Sequence, residues 1–398
     1  MYFFRRVLFM MKFCKAFCLF LVLLLAFGTL ILPIQAEEFT SISPSLSAKS
    51  AILMEVESGT VVYEKNAHTR MPMASTTKIM TALVALELAA PDTVILVDGR
   101  AVGTEGSSIY LCEGEELTLE ELLYALMLES ANDAAVAIAI GVSGSEEAFV
   151  DALNTKATSL GLSDTHFANP HGLDAEAHYT TAYELAVIAR EALQNPLLKT
   201  IVSTRKTTIP HQNTDGVRLL VNHNKMLRLY DGCIGVKTGY TQKSGRCLVS
   251  AAEREGVTMI AVTIDSPDDW NDHTKLLDFG FSNYRSVELC PADFNLCLPV
   301  VGGKESYVTV GVTQSVSVTL PLGSGVIEQI IECPRHIFAP IKEGDICGRM
   351  LFFCDTNNDG IQETICEIPL IAKYSIEKYS PRLSLWQRFW LWLRGLFS

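Results

Sequence analysis

A serine three residues ahead of a lysine, Ser75-Thr76-Thr77-Lys78, is the first place in this 398-residue chain where chemistry could begin. On a helix, residues i and i+3 share a face, so the Lys78 amine projects beside the Ser75 hydroxyl. A serine hydroxyl is a weak nucleophile until a neighbour takes its proton, and a lysine can do so once desolvation or nearby positive charge lowers its pKa. Ser75 near a helix start also has a backbone N–H free to face a developing oxyanion. In isolation the same four residues read as a helix cap and a solvated lysine.

Two further groups follow. Ser130-Ala131-Asn132 stands at the break between two apolar helices. Its hydroxyl could relay a proton to a leaving amine, and its amide could hold a substrate peptide group; a polar interhelix turn is the plainer alternative. Lys237-Thr238-Gly239 falls on a strand-like run, where a cation and a hydroxyl suit a carboxylate and the glycine lets a ligand approach the backbone. Each group is weak alone. Together and in this order they match the SxxK, SxN and KTG signature of penicillin-binding proteins and serine β-lactamases.

More of the chain resembles the low-molecular-mass penicillin-binding proteins that are serine D-alanyl-D-alanine carboxypeptidases. The matching stretches are Pro72 to Ala82, Leu126 to Ala134, Phe167 to Leu173 followed by Thr180-Thr181-Ala182, and Gly235 to Gly245. The resemblance implies that Ser75 is the acylated nucleophile, Lys78 its base and Ser130 the proton shuttle. It implies that Asn132 positions the peptide, and that Lys237 and Thr238 hold the terminal carboxylate of a peptidoglycan stem or a β-lactam. Beside Gly239, the N–H groups of Ser75 and Tyr240 would form the oxyanion hole. The implied activity is removal of the terminal D-alanine, without a cofactor or a metal. A transpeptidase or endopeptidase of the same fold, or a non-catalytic wall-binding protein, are the alternatives. Some relatives carry an arginine upstream of KTG; here Asn222-His223-Asn224-Lys225 leaves only His223 for that part. His171, in the Phe167–Leu173 stretch, reads either as a structural loop residue or as a participant in catalysis. A class A β-lactamase would need a glutamate to activate water, and residues 160–180 offer only Glu176, inside that same region.

The elements that must position these groups are legible as periodicity. Ala51 to Lys65 reads as a β-hairpin. Helices are expected from Ser75 to Ala89, over Leu119–Glu129 and Asn132–Ile140, from Glu146 to Leu160, and from Thr181 to Ala192. Strands return at Cys247–Ala251 and Thr258–Ile264. Strand, strand, helices, strand, strand implies a sheet whose first and last strands are neighbours, with helices packed on it. The expected fold is thus an α/β (α+β) penicillin-binding, β-lactamase-like catalytic domain over 37–285, with an antiparallel sheet. A small all-β domain follows over 286–373, where short Val/Ile/Thr runs such as Tyr307–Val310 and Ser315–Leu320 alternate with Gly and Pro turns. Asp355 to Gly360 resembles the opening of a calcium loop, but its closing acidic position falls on Cys366, so a hairpin turn is expected.

Both ends of the chain point to a membrane. Arg5, Arg6, Lys12 and Lys15 precede an apolar run, Ala16 to Leu32, that closes at Ala36. This reads as a signal peptide over 1–36, the alternative being a retained N-terminal membrane helix. The tail, 380–398, gathers three of the four tryptophans and three arginines without an acid, the pattern of an amphipathic helix lying in the membrane–water boundary. The enzyme is therefore expected at the outer face of the cytoplasmic membrane. The formal net charge of −13 becomes −17 without the basic leader, which disfavours nucleic acid as a partner. Nine cysteines remain beyond the leader, an odd number that leaves at least one thiol without an internal partner.

Overall fold

The computed structural model describes residues 43–211, 216–380 and 385–395. The leader expected over 1–36 lies outside the described residues. Strands β1 (Ser50–Glu55) and β2 (Val61–Lys65) pair as the expected hairpin. A tight 3-10 turn, Ala74–Thr77, then runs into α1 (Lys78–Leu88), so regular α-helix begins at the lysine rather than at Ser75. The short ladder of β3 (Val94–Leu96) and β4 (Glu116–Thr118) leads to α2 (Leu119–Tyr124).

The helix expected over Leu119–Glu129 does not stay regular. It widens into a π turn over Ala125–Glu129 and stops at Ser130, whose backbone is left-handed (φ 59°). Next come α3 (Asn132–Ser143), α4 (Glu146–Ser159), α5 (Ala182–Gln194) and α6 (Pro196–Ser203). Their starts follow local chemistry: Ser145 and Thr181 accept backbone N–H bonds as caps, and Asn195 caps α6 with Pro196 in the first turn. The hairpin of β5 (Lys206–His211) and β6 (Gly216–Val221) precedes the short α7 (Met226–Leu229). After it come β7 (Cys233–Thr241), β8 (Gly245–Arg254), β9 (Val257–Ile264) and α8 (Asp269–Asn283).

The main sheet is antiparallel in the order β2-β1-β9-β8-β7, so the first and last strands are neighbours as expected. All six residues of β1 are buried because both faces are covered. Ile52 and Met54 enter the core beneath the helices, whereas Ala51 and Leu53 enter a second core with Leu276 and Leu277 of α8. The alternation seen in the sequence therefore separates two cores rather than core from water. Helix α1 is buried from Lys78 through Ala85, at the centre of the molecule.

From residue 284 to 372 the regular elements are all β: β10 (Tyr284–Cys290), β11 (Asn295–Val301), β12 (Tyr307–Gly311), β13 (Val316–Pro321), β14 (Glu328–Glu332), β15 (Ile337–Phe338), β16 (Ile346–Cys354) and β17 (Glu363–Ala372). Strands β10 and β13 pair, and the other six form one sheet in the order β14-β16-β17-β12-β11-β15. They enclose their own apolar core around Val308, Val310, Met350, Phe352 and Leu370. Between β16 and β17 the Asp355 carboxylate accepts the N–H groups of Asp359 (3.1 Å) and Gly360 (2.8 Å), which builds the hairpin turn. The nine cysteines beyond the leader are free thiols. The described part of the tail is helix α9 (Leu385–Gly395). On it Trp386 and Trp392 are exposed, with Phe389 between them at ring distances of 6.0 and 6.2 Å. Among the described residues no helix is long and apolar enough to cross a membrane.

Candidate active site

The 3-10 turn and α1 carry the first group. Lys78 Nζ lies 3.0 Å from Ser75 Oγ, 2.6 Å from Asn132 Oδ1 and 2.5 Å from the His171 carbonyl oxygen. Those two fixed acceptors can take two N–H bonds, which leaves the third direction of the amine aimed at the Ser75 hydroxyl. Lys78 is fully buried, and its pKa is held well below the usual lysine range. Burial is the main cause, the charge of Lys237 adds to it, and Asp133 opposes both. A neutral amine beside a serine hydroxyl is the state that can accept a proton.

The second group arrives through the π turn. Its left-handed exit turns Ser130 into the same cleft that Ser75 lines. Asn132, the first residue of α3, is used at both ends of its amide: Oδ1 accepts from Lys78, and Nδ2 donates to the Glu105 carbonyl at 2.6 Å. Its backbone N–H also donates to the Ser107 carbonyl at 2.7 Å. Asn132 is buried behind the cleft, where it orients the lysine and ties down the 105–107 loop.

The third group lies on β7, at the edge of the sheet facing the 3-10 turn. Thr238, Gly239 and Tyr240 line the cleft. Gly239 permits a close approach, since a Cβ there would sit in tight contact, 3.0 Å from the Ser75 nitrogen and 3.1 Å from the Ala74 Cβ. Lys237 points inward, buried, and donates to the Thr238 carbonyl at 3.0 Å. Burial lowers its pKa to about 7, with Glu129 opposing the shift. Lys237 is thus a charge beneath the wall, while the Thr238 hydroxyl is on it.

The cleft, of about 380 Å³, has an opposite end that sequence reasoning missed: Lys225, Arg246, Asp269 and Trp270. Arg246 forms a 2.7 Å ion pair with Asp269, and its guanidinium lies 5.6 Å from the Trp270 ring centre. Lys225 approaches the same ring at 5.9 Å. His223 also lines the cleft but is paired with Glu129 at 3.2 Å. His171 serves Lys78 through its carbonyl, and burial, with the nearby Lys78 amine adding to it, lowers the pKa of its imidazole to about 4. A larger hollow of about 530 Å³ beside Arg254, Phe281 and Tyr284 is lined by none of Ser75, Ser130 and Thr238.

Residues 37–268 match the family model for D-alanyl-D-alanine carboxypeptidases, and residues 284–378 match that for the C-terminal domain of penicillin-binding protein 5. The chain belongs to the D-alanyl-D-alanine carboxypeptidase family. It is 36% identical over 342 residues to the D-alanyl-D-alanine carboxypeptidase DacF of Bacillus subtilis (strain 168), covering 83% of this chain and 86% of that one. Among solved structures it is similar to penicillin-binding protein 5 from Haemophilus influenzae, with 25% identity and a TM-score of 0.67 over 85% of this chain and 99% of the other. It is also similar to the Streptomyces K15 DD-transpeptidase, with 34% identity and a TM-score of 0.58 over 61% of this chain and 99% of the other. The family carries the penicillin-binding fold, a mixed catalytic unit with an all-β unit after it, as expected from the sequence.

Proposed function

We infer that this serine carboxypeptidase cleaves the terminal D-Ala-D-Ala bond of peptidoglycan stem peptides through an acyl-enzyme on Ser75. The observation that carries the reading is the 3.0 Å approach of a buried, pKa-lowered lysine to the Ser75 hydroxyl. Neutral Lys78 takes the Ser75 proton as Oγ attacks the carbonyl of the penultimate D-alanine. The N–H groups of Ser75 and Tyr240 receive the oxyanion, and Gly239 allows the approach. Ser130 passes a proton to the leaving nitrogen and is resupplied with the one Lys78 took, the C–N bond breaks, and D-alanine departs. Water then attacks the ester, Lys78 takes its proton and returns it to Ser75 Oγ as the ester bond breaks, and the shortened stem is released. A β-lactam would acylate the same oxygen, with its ring amide in place of the scissile bond.

The substrate carboxylate has the Thr238 hydroxyl and the Arg246 guanidinium on the cleft wall, with the Lys237 charge behind them. Asn132 acts by holding Lys78 rather than by touching the peptide. Exposed Trp386, Phe389 and Trp392 on helix α9 support a location at the outer face of the cytoplasmic membrane, where they would be its apolar contacts. Liposome flotation of a chain ending at Ser380 tests this, and retained binding would reject the anchor.

Incubation with a fluorescent penicillin and with a stem peptide ending in D-Ala-D-Ala tests the reaction. Labelling at Ser75 together with D-alanine release is the expected result; absence of label on Ser75 would overturn it. The likeness to the K15 DD-transpeptidase favours a second reading, in which a peptide amine replaces water as the acceptor. Labelling with cross-linked product and little free stem would select that reading.

A further inference from the structure

A buried imidazole that the mechanism does not use lies directly behind the nucleophile. His178 is 4% exposed, between the 168–173 segment and the 3-10 turn that bears Ser75. Its Nδ1 accepts the backbone N–H of Ala168 at 3.0 Å, and its Nε2 lies 2.7 Å from Thr77 Oγ1. Thr77 Oγ1 in turn lies 2.8 Å from the Ala74 carbonyl oxygen.

The donor count fixes the direction of every bond in this chain. A backbone N–H can only donate, so Nδ1 holds a lone pair and the single ring hydrogen of a neutral imidazole sits on Nε2. That N–H donates to Thr77 Oγ1. The Thr77 hydroxyl has one hydrogen and gives it to the Ala74 carbonyl, which can only accept. Burial keeps the imidazole neutral by lowering its pKa to about 3, with the neighbouring histidines and Lys78 adding to the effect.

The Ala74 carbonyl and the Ser75 N–H belong to one peptide group. That peptide is held in an unusual place: Ala74 has φ +47°, a region a non-glycine residue adopts only when its surroundings impose it. Gly172 packs so closely against it that a Cβ there would lie 2.0 Å from the Ala74 oxygen. The Asn169 side chain accepts the Gly172 N–H at 2.7 Å and keeps that backbone in place. Hydrogen bonds in series polarise one another, so donation to the carbonyl strengthens the N–H of the same peptide as a donor.

We propose that His178 is a positioning residue for oxyanion stabilisation, acting through the Thr77 hydroxyl to orient and polarise the Ala74–Ser75 peptide. The proposal rests on Ser75 being the acylated nucleophile. It assigns Thr77, the third residue of the SxxK group, a task beyond helix initiation. The effect should be smaller than loss of a direct oxyanion donor: roughly 3- to 30-fold in acylation rate, against about 10² to 10³ for a direct donor.

Thr77→Val removes the hydroxyl at nearly constant shape, and His178→Leu removes the donor at the other end. Both are compared with wild type and Thr77→Ser for the acylation rate by a penicillin and its pre-covalent affinity. The infrared carbonyl band of the acyl ester, made with a carbonyl-¹³C β-lactam, is recorded on each. The expected result is slower acylation at unchanged pre-covalent affinity, with the ester band moved to higher wavenumber in Thr77→Val and His178→Leu. Thr77→Ser restores both. An unshifted band in whichever of the two variants folds, with acylation at the wild-type rate, would overturn the relay. If wild-type Ser75 takes no label, the nucleophile assignment fails instead, so the two failures are told apart.

Discussion

The catalytic half and the β half of this molecule bury different things. Up to residue 283 the described interior holds Lys78, Lys237, Glu115, Asp133, Arg218, Asp272 and His273 among its leucines and valines. Beyond residue 284 the buried polar side chains reduce, among the described residues, to Thr319. Charges there stay at the surface, as with Arg349 between Glu332 (2.7 Å) and Glu367 (3.0 Å). An unpaired buried charge costs several kcal/mol, so a fold carries one only where something holds it or uses it.

Within the catalytic half that distinction can be drawn again. Arg218 and Glu115 form a closed pair, with the guanidinium also donating to the carbonyls of Ile109 and Tyr110. Asp272 is likewise satisfied by Ser47, Ala48 and Ser266. Lys78 and Lys237 instead have no ion-pair partner among the described residues; burial lowers the pKa of both, and the Lys237 charge adds to the shift at Lys78. Stability is spent there to keep an amine neutral.

The largest test of the contrast is Lys78→Met, which replaces a desolvated amine by an apolar side chain of similar length. Penicillin acylation at Ser75 should fall by about 10² to 10⁴, while the thermal midpoint moves by only a few degrees; a collapse of the fold would show the lysine to be structural. Leu370→Ala in the β core reverses the pattern. It should cost about 2–5 kcal/mol of that unit's stability with Ser75 labelling unchanged, read by denaturant melts alongside gel labelling.

Acid should separate the halves next. His171, His178 and His273 have pKa values lowered to about 4, 3 and 3 by burial. Unfolding frees each to take up a proton below about pH 6.5, the ordinary histidine value. For a base whose folded pKa is lowered, the unfolded state binds more protons in that window, so stability falls as pH drops from 6.5 towards 4. The described histidine of the β half, His336, is exposed. Calorimetry from pH 7 to 4.5 should therefore move the transition of the catalytic half and leave that of the β half in place. Arg246→Ala is the smallest effect. It should raise KM for the stem peptide about tenfold, the worth of one charged hydrogen bond, at nearly constant kcat. A fall in kcat alone would remove Arg246 from the carboxylate site.

Much of this site could be read from the chain because its groups are local. Ser75 and Lys78 meet through one turn, and Ser130 and Asn132 sit at one helix break. The hairpin, the central helix and the β texture after residue 284 follow from periods of two and 3.6 residues. Arg246 and Trp270 were not legible. Arg246 reaches the cleft only because β8 returns beside β7 with Tyr240 opposite Arg246, and Trp270 because α8 starts beneath that strand. The widening of the helix at Ala125–Glu129 also escaped periodicity, which does not distinguish a π turn from a regular one. His178 carries no sequence signal, because one of its two ring nitrogens is partnered by Thr77, 101 positions away.

The sequence by itself determined the inventory: a hydroxyl, two lysines, a second hydroxyl and a glycine in an order tied to one reaction class, on elements set by hydrophobic spacing. Which of these side chains line the cleft was decided by the tertiary structure. Asn132 and Lys237 are buried behind its wall, and Arg246 lines it. Protonation was decided there as well, because a lysine's pKa depends on the water removed and the charges brought near. Residues 159 positions apart, such as Lys78 and Lys237, meet only when the sheet edge packs against the central helix.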